Sequence, residues 1–267
     1  MQTLSGLVVV TNLVLSLVVG LRLLKLARRT QALPEGMLAL YFLASPFVAA
    51  VAQCAAYAGL SDQTLLLPGA WMRAALVVAS LGMGIGAAAV FVFTWRTFVP
   101  ESGAARAAVA AVCSTLIVGL ALEAYQDGFE LMILPGVGHW LGWLCRTTAF
   151  AWLAFECFRH WVLLRRRLRL GIAEPLIVNR FLLWGLFSAA SFAVLCSDLA
   201  ARAAYVLQAG TSSEIVLEVA APIVVVTLAI TMFTGAVSAV TLALAFFPTA
   251  RYRRWIEASA VPEAPAP

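Results

Sequence analysis

The sequence predicts an all-α protein: a seven-transmembrane-helix bundle with its N-terminus outside and its C-terminus in the cytoplasm. Three observations carry that expectation. First, 63% of the 267 residues are hydrophobic and only 12% are charged, about half the charged fraction usual in a soluble domain, and the mean hydropathy is +0.96. Second, apolar stretches long enough to cross a bilayer, about 20 residues each, recur at 4–24, 37–59, 72–95, 107–123, 137–158, 181–204 and 217–246. In hydrocarbon every backbone polar group must be paired within the protein, so stretches of this length are helices. Third, the basic residues collect on alternate connections. Arg22, Lys25, Arg28 and Arg29 follow the first span; Arg96 and Arg106 follow the third; Arg159, Arg165, Arg166, Arg167, Arg169 and Arg180 follow the fifth; Arg251, Arg253 and Arg254 follow the seventh. The opposite connections carry Asp62, Glu123, Asp127, Glu130 and Glu214. The side rich in arginine and lysine is the cytoplasmic one.

Residues 1–250 are expected to form the membrane domain, and 251–267 a short cytoplasmic tail whose end, EASAVPEAPAP, is partly disordered. The net charge of +5 is then a matter of topology and of anionic lipid at the arginine-rich loops, not of nucleic acid. The opening MQTLSG lacks the basic residue of a signal-peptide n-region, so the first span is expected to remain as an anchor. Cys54, Cys113, Cys145, Cys157 and Cys196 fall inside predicted helices, with no C-x-x-C pair, and are expected as small packing residues. One lysine among 18 basic residues, beside heavy alanine use, points to a GC-rich bacterial genome and so to the inner membrane.

Span by span, the first is featureless apart from Thr11, Asn12 and Ser16. Leu33-Pro34-Glu35 fits the start of the second, with proline tolerated in the first turn and glutamate favourable at the positive end of the helix dipole. Ser45-Pro46 predicts a kink inside it. The third span contains Gly82 and Gly86, a G-x-x-x-G pair continued by Ala87, Ala88 and Ala89, and is expected to pack tightly within the molecule. The fourth is short and alanine-rich and closes on Glu123. Asp198 and Arg202, four apart near the end of the sixth, are placed to pair. The seventh carries Thr227, Thr231, Thr234, Ser238 and Thr241, hydroxyls that bond the preceding turn or a neighbour. Seven of the eight tryptophans lie toward span ends, as in an interfacial belt, and only Trp152 is central. The first to third and fifth to seventh spans share basic loops with LPE and AEP words and exits at FVP and FFP. That pattern suggests a 3+1+3 parallel repeat of the kind found in transporters.

The fifth span supplies the leading site. His139, Trp143, Arg146, Phe150 and Cys157 fall on one helical face. Arg146 lies about 15 Å from the outer end at 1.5 Å per residue, where an arginine costs about 2.5–3.5 kcal/mol on insertion scales. It is therefore expected to face the bundle and to have acidic or carbonyl partners. Asp198, Glu123 and Glu218 are the nearest acidic residues by depth, all somewhat above it, and with Arg73, Tyr57, Gln53, Arg202 and Tyr205 they are expected to line an outward-facing polar cavity for a small ligand, or else a structural ion-pair network. Glu156, near Arg159 and His160, is expected as an interfacial ion pair. Enzyme chemistry is not expected. His139 and His160 stand about 30 Å apart along one helix, too far for a shared zinc or haem, and no G-x-S-x-G elbow or Ser-Lys dyad occurs. No metal or cofactor is expected.

The layout of seven spans, N-terminus out, resembles microbial rhodopsins, seven-helix receptors and sugar facilitators at the level of topology alone. The retinal lysine of the first is absent from the seventh span, and the Pro-Gln pair of the last occurs nowhere. The RT…LPE loop and the FFP…YRRW ending are similar to those of uncharacterised bacterial seven-helix integral membrane proteins. The resulting expectation is a non-enzymatic sensor or receptor-like module that binds a small ligand or lipid and contacts a cytoplasmic partner. A small transporter or channel, or an accessory subunit of a membrane complex, is the alternative.

Overall fold

A computed structural model describes residues 2–58, 69–126, 129, 136–208 and 213–259. Among them the chain is entirely helical: α1 (Gln2–Thr30), α2 (Leu33–Leu43), a π-helical turn (Ala44–Ala49), α3 (Ala50–Ala58), α4 (Gly69–Phe98), α5 (Gly103–Gln126), α6 (Val137–Arg169), α7 (Pro175–Gln208), α8 (Ser213–Phe246) and α9 (Ala250–Ser259). α2, the π turn and α3 run on as one bent rod. Six helical stretches are long and apolar enough to cross a membrane: Gly6–Thr30, Leu33–Ala56, Gly69–Phe98, Gly103–Gln126, Pro175–Ala203 and Val225–Phe246. They mark a multi-pass membrane protein. α6, expected as the fifth of seven spans, is long enough but is not among the six. Arg146, His139, Glu156 and its arginine-rich end make it too polar.

The ends of the helices follow from local chemistry. Pro34 stands in the first turn of α2 and Pro175 opens α7, where a missing N–H removes no helical bond. α4 and α8 stop ahead of Val99-Pro100 and Phe247-Pro248, since the residue before proline avoids helical backbone. The arginine run read from the sequence as a loop is instead the last turns of α6. Leucine and arginine are strong helix formers, and cations suit the negative end of the dipole. Gly171, at φ +70°, then terminates the helix. Its N–H bonds Leu168 O at 3.0 Å and the Ile172 N–H bonds Arg167 O at 3.0 Å, the paired closure of a Schellman cap. The tail is likewise helical as far as Ser259. α9 packs on α7, with Asn179 Nδ2 donating to the Tyr252 hydroxyl at 2.7 Å.

The helices pack in chain order into a closed ring: α1 on α2, α2 and α3 on α4, α4 on α6, α6 on α7, α7 on α8 and α8 back on α1. α5 lies outside the ring against α4 and α6. The outer surface is apolar. Leu7, Val10, Val14, Val18 and Leu21 form an exposed stripe along α1 at helical spacing, and Ile117 and Phe233 are 69% and 71% exposed. In water such a surface would drive aggregation; against lipid it is the expected one.

Close backbone approach holds the ring. Pro46 cannot donate to the ladder and would collide with a carbonyl one turn back; the π turn absorbs both defects. The Ser45-Pro46 kink expected from the sequence is this turn. It rests on the two glycines of α4: a Cβ on Gly82 would meet Ala44 O at 2.6 Å, and one on Gly86 would meet the Ser45 side chain. The G-x-x-x-G surface is therefore used inside the molecule. α5 and α6 cross in the same way, where Gly119 and Gly138 face each other's carbonyl oxygens. Most interior hydroxyls bond the turn before them, as with Thr94 to Val90 O at 2.8 Å, Ser188 to Trp184 O at 2.8 Å and Thr241 to Val237 O at 2.8 Å. Asn12 donates to Val8 O on its own helix at 3.0 Å and also reaches across the ring closure to Gly235 O at 3.3 Å.

The two glycines of α6 make opposite predictions. Gly138→Val drives side-chain atoms into the backbone of α5 and should lower unfolding stability in detergent by about 1–3 kcal/mol. Gly142→Ala, one turn on, meets nothing within 4 Å and should be neutral or stabilising by up to about 1 kcal/mol. Thermal or denaturant melts of the two variants check both.

Candidate functional site

Aromatic packing fills one half of the ring interior. Tyr41, Phe42, Phe150 and Phe187 meet edge to face or tilted at centroid distances from 4.9 to 6.4 Å. The cluster continues through Trp184, Phe246, Phe93 and Phe98 to Phe181 and His160. Trp184, Phe98, Phe246 and His160 stand at the end where the arginine-rich segments lie, so that end is plugged. There Glu156 is buried and paired to Arg159 at 3.1 Å, and the His160 ring nitrogen lies 3.0 Å from Glu156 O.

Above the plug lies a cavity of about 250 Å³. Its lining comes from most of the ring: Tyr41 from α2, Ser45 from the π turn, Met83 and Ala87 from α4, Arg146 and Phe150 from α6, Ser191, Val194 and Leu195 from α7, and Ser238 from α8. The π turn delivers Ser45 to this wall. Ser191 is oriented by donating to Phe187 O at 2.9 Å. Arg146 is thus set among four hydroxyl-bearing side chains and an apolar remainder. Its Nε donates to Gly142 O at 3.3 Å, and Nη1 touches the Met83 sulfur. No carboxylate pairs with it directly among the described residues. The acidic side chains whose charge reaches it are Glu123 and Asp198.

A second, smaller space of about 30 Å³ between α4, α5 and α6 is lined by Ser80, Met83, Glu123, His139 and Arg146, among others. The Ser80 hydroxyl donates to Glu123 Oε1 at 3.2 Å, and His139 Nδ1 stands 3.7 Å from the same oxygen.

The residues expected at the site divide accordingly. Arg146 lines both spaces, while His139 and Glu123 line the small one. Trp143 is 3% exposed and, like Gln53, lines neither; it is a packing residue. Asp198 pairs with Arg202 along α7 at 3.0 Å and is part-exposed, outside both linings. Arg73 lies exposed near the start of α4, also outside both. The side chains of Tyr57, Tyr205 and Glu218 lie outside the described residues. Sequence reasoning named Phe150 with the α6 stripe but missed Tyr41, Ser45, Met83, Ser80, Ser191 and Ser238. The kink at Pro46 was the available signal for Ser45, and the hydroxyl run of α8 that for Ser238. Among the described residues no three His, Cys, Asp or Glu side chains stand close enough to hold a metal, and all five cysteines are free thiols.

Glu123→Leu removes the acceptor of Ser80 and the partner of His139 and should cost about 1–3 kcal/mol. Glu123→Gln should cost less, because its amide oxygen still accepts from Ser80. Unfolding curves of the two variants test the order.

Comparison with known proteins adds no constraint: no protein-family model, curated protein or solved structure matches this chain.

Proposed function

We propose that the chain is a seven-span bacterial inner-membrane protein, N-terminus outside and C-terminus cytoplasmic, that binds a small anion in the cavity at Arg146. The observation that carries this reading is a guanidinium on the wall of a cavity that four hydroxyl-bearing side chains also line, with no carboxylate paired to it directly among the described residues. A planar guanidinium recognises a carboxylate through two parallel bonds. The remaining walls, Phe150, Met83, Ala87, Val194 and Leu195, suit an apolar body. Small monocarboxylates fit this chemistry, and a lipid acid would satisfy the same groups. The aromatic plug on the basic side supports access from the outer, acidic side. α6 is the seventh span in this reading. Its polar residues turn to the ring interior or to the interface, while Leu144 and Phe155, 59% and 62% exposed, face outward.

The role that follows is non-enzymatic: a sensor or receptor-like module whose cytoplasmic arginines on α6 and α9 contact anionic lipid or a protein partner. α9 presents Arg251, Arg253, Arg254 and a 61% exposed Trp255, the make-up of a helix lying at a lipid interface. A transporter is the second reading, and one observation favours it. The neighbouring pairs α1–α2, α2–α4 and α4–α6 map onto α6–α7, α7–α8 and α8–α1, with α5 as linker, the order that a 3+1+3 parallel repeat would also give.

Native mass spectrometry of the gently solubilised protein beside Arg146→Leu tests the site. The expected outcome is a discrete small-molecule or lipid adduct on the wild type, lost in the folded variant. An identical spectrum for both removes Arg146 from any binding role. Flux of the identified ligand into liposomes would decide for the transporter, and binding without flux for the sensor.

A further inference from the structure

Arg146 stands between two compartments. On one side is the central cavity; on the other is the small space shared with Glu123, His139 and Ser80, whose volume of about 30 Å³ has room for a water or two. Glu123 and His139 are only 16% and 22% exposed and nearly in contact. Nε2 of His139 is buried and has no hydrogen-bond partner among the described residues, although a ring nitrogen in that position ordinarily finds one. Among the described residues the groups facing Glu123 are few. α4 offers the neutral Ser80 hydroxyl, and α6 offers His139 and Arg146. Asp198 and Arg202 of α7 bear on Arg146 with opposite signs and are paired to each other.

Resting on the anion reading above, we propose that Glu123 and His139 form a proton site linked to anion binding at Arg146, so that each carboxylate entering the cavity brings one proton into the niche behind it. With no anion bound, the guanidinium is a positive charge on the wall of the niche that Glu123 also lines. A carboxylate on the cavity side engages that charge, and its field at Glu123 weakens. The niche then takes a proton from the outer aqueous phase, held on the carboxylate or on the imidazole. No bond other than that to the proton is made or broken, and the net charge added to the low-dielectric interior is zero. That matters because an uncompensated charge there is expensive. The linkage has a definite sign. The niche binds its proton more tightly once the anion is in place, so the anion binds more tightly at low pH. Affinity then falls by up to about tenfold per pH unit across the interval in which the niche exchanges its proton, and is level on either side.

The test is titration calorimetry of the full chain in lipid nanodiscs with benzoate, at about pH 5.5 and about pH 8, spanning the range in which histidine commonly titrates. Each titration is run in two buffers of different ionisation enthalpy, with Arg146→Leu as the control for heat arising outside the cavity. The expected result is tighter benzoate binding at the lower pH and uptake approaching one proton per benzoate between the two pH values. Glu123→Gln, which mimics the protonated carboxylate and keeps an acceptor for Ser80, should bind with the low-pH affinity throughout and take up no proton. Wild-type binding that is independent of pH and buffer overturns the linkage while leaving the anion cavity standing, and needs no variant to do so. Linkage retained in Glu123→Gln overturns the assignment to Glu123. Absence of any heat that depends on Arg146 overturns both readings together.

Discussion

A guanidinium inside a ring of apolar helices has to be solvated by the protein, because the surrounding lipid offers nothing. Much of the interior can be understood from that constraint. α6 gives up apolarity to carry Arg146, so much so that it falls below the hydropathy of the other long helices. The guanidinium's own helix answers with the Gly142 carbonyl and α4 with the Met83 sulfur, while α2, the π turn, α7 and α8 place hydroxyls on the wall of the same cavity. The remaining interior hydroxyls mostly turn back on their own helices, as Thr94, Thr147 and Ser188 do. This leaves the polar capacity of the ring concentrated at one level.

The same constraint explains why the polar level and the aromatic level are separate. Phe42, Phe187, Trp184 and Phe246 interlock with ring centroids about 5–6.5 Å apart, the spacing of favourable aromatic contacts, and leave little space between them. Above them, small residues on α4 and the displaced backbone of the π turn leave room. Gly82 and Gly86 are what let the π turn sit against α4; larger residues there would push Ser45 away from the cavity. The close packing and the cavity thus arise from one crossing.

Much of the helical architecture was legible in the sequence because length and apolarity are additive signals. Arg146 was legible because a charge in such a stretch is costly whatever surrounds it. Glu123 and His139 were legible as polar residues at a shared depth. Tyr41, Ser45, Met83 and Ser191 were not: each is an ordinary helix residue whose direction is set by how the ring closes, and a single helix's pattern does not contain that closure. Asp198 and Arg73 mislead for the complementary reason. Position along a span does not give azimuth, and Asp198 pairs with Arg202 on its own helix, while Arg73 stands ten residues before Met83 on α4, about 15 Å from the level of Arg146. The arginine run was misread as a loop because charge density was weighed above helix propensity, which Leu163, Leu164 and Leu168 maintain between the arginines.

That uninterrupted helix has a mechanical corollary. From Arg146 to Arg169, α6 is a single rod about 35 Å long at 1.5 Å per residue, without proline or glycine and sealed at its end by Gly171. A rod of this kind transmits angle rather than bending. Pivoting it by about 5° at the level of Arg146 carries its arginine-bearing tip about 3 Å sideways at that end of the bundle. Small adjustments around one buried cation are thereby converted into a lateral displacement of a dense positive charge, with the helix itself as the lever.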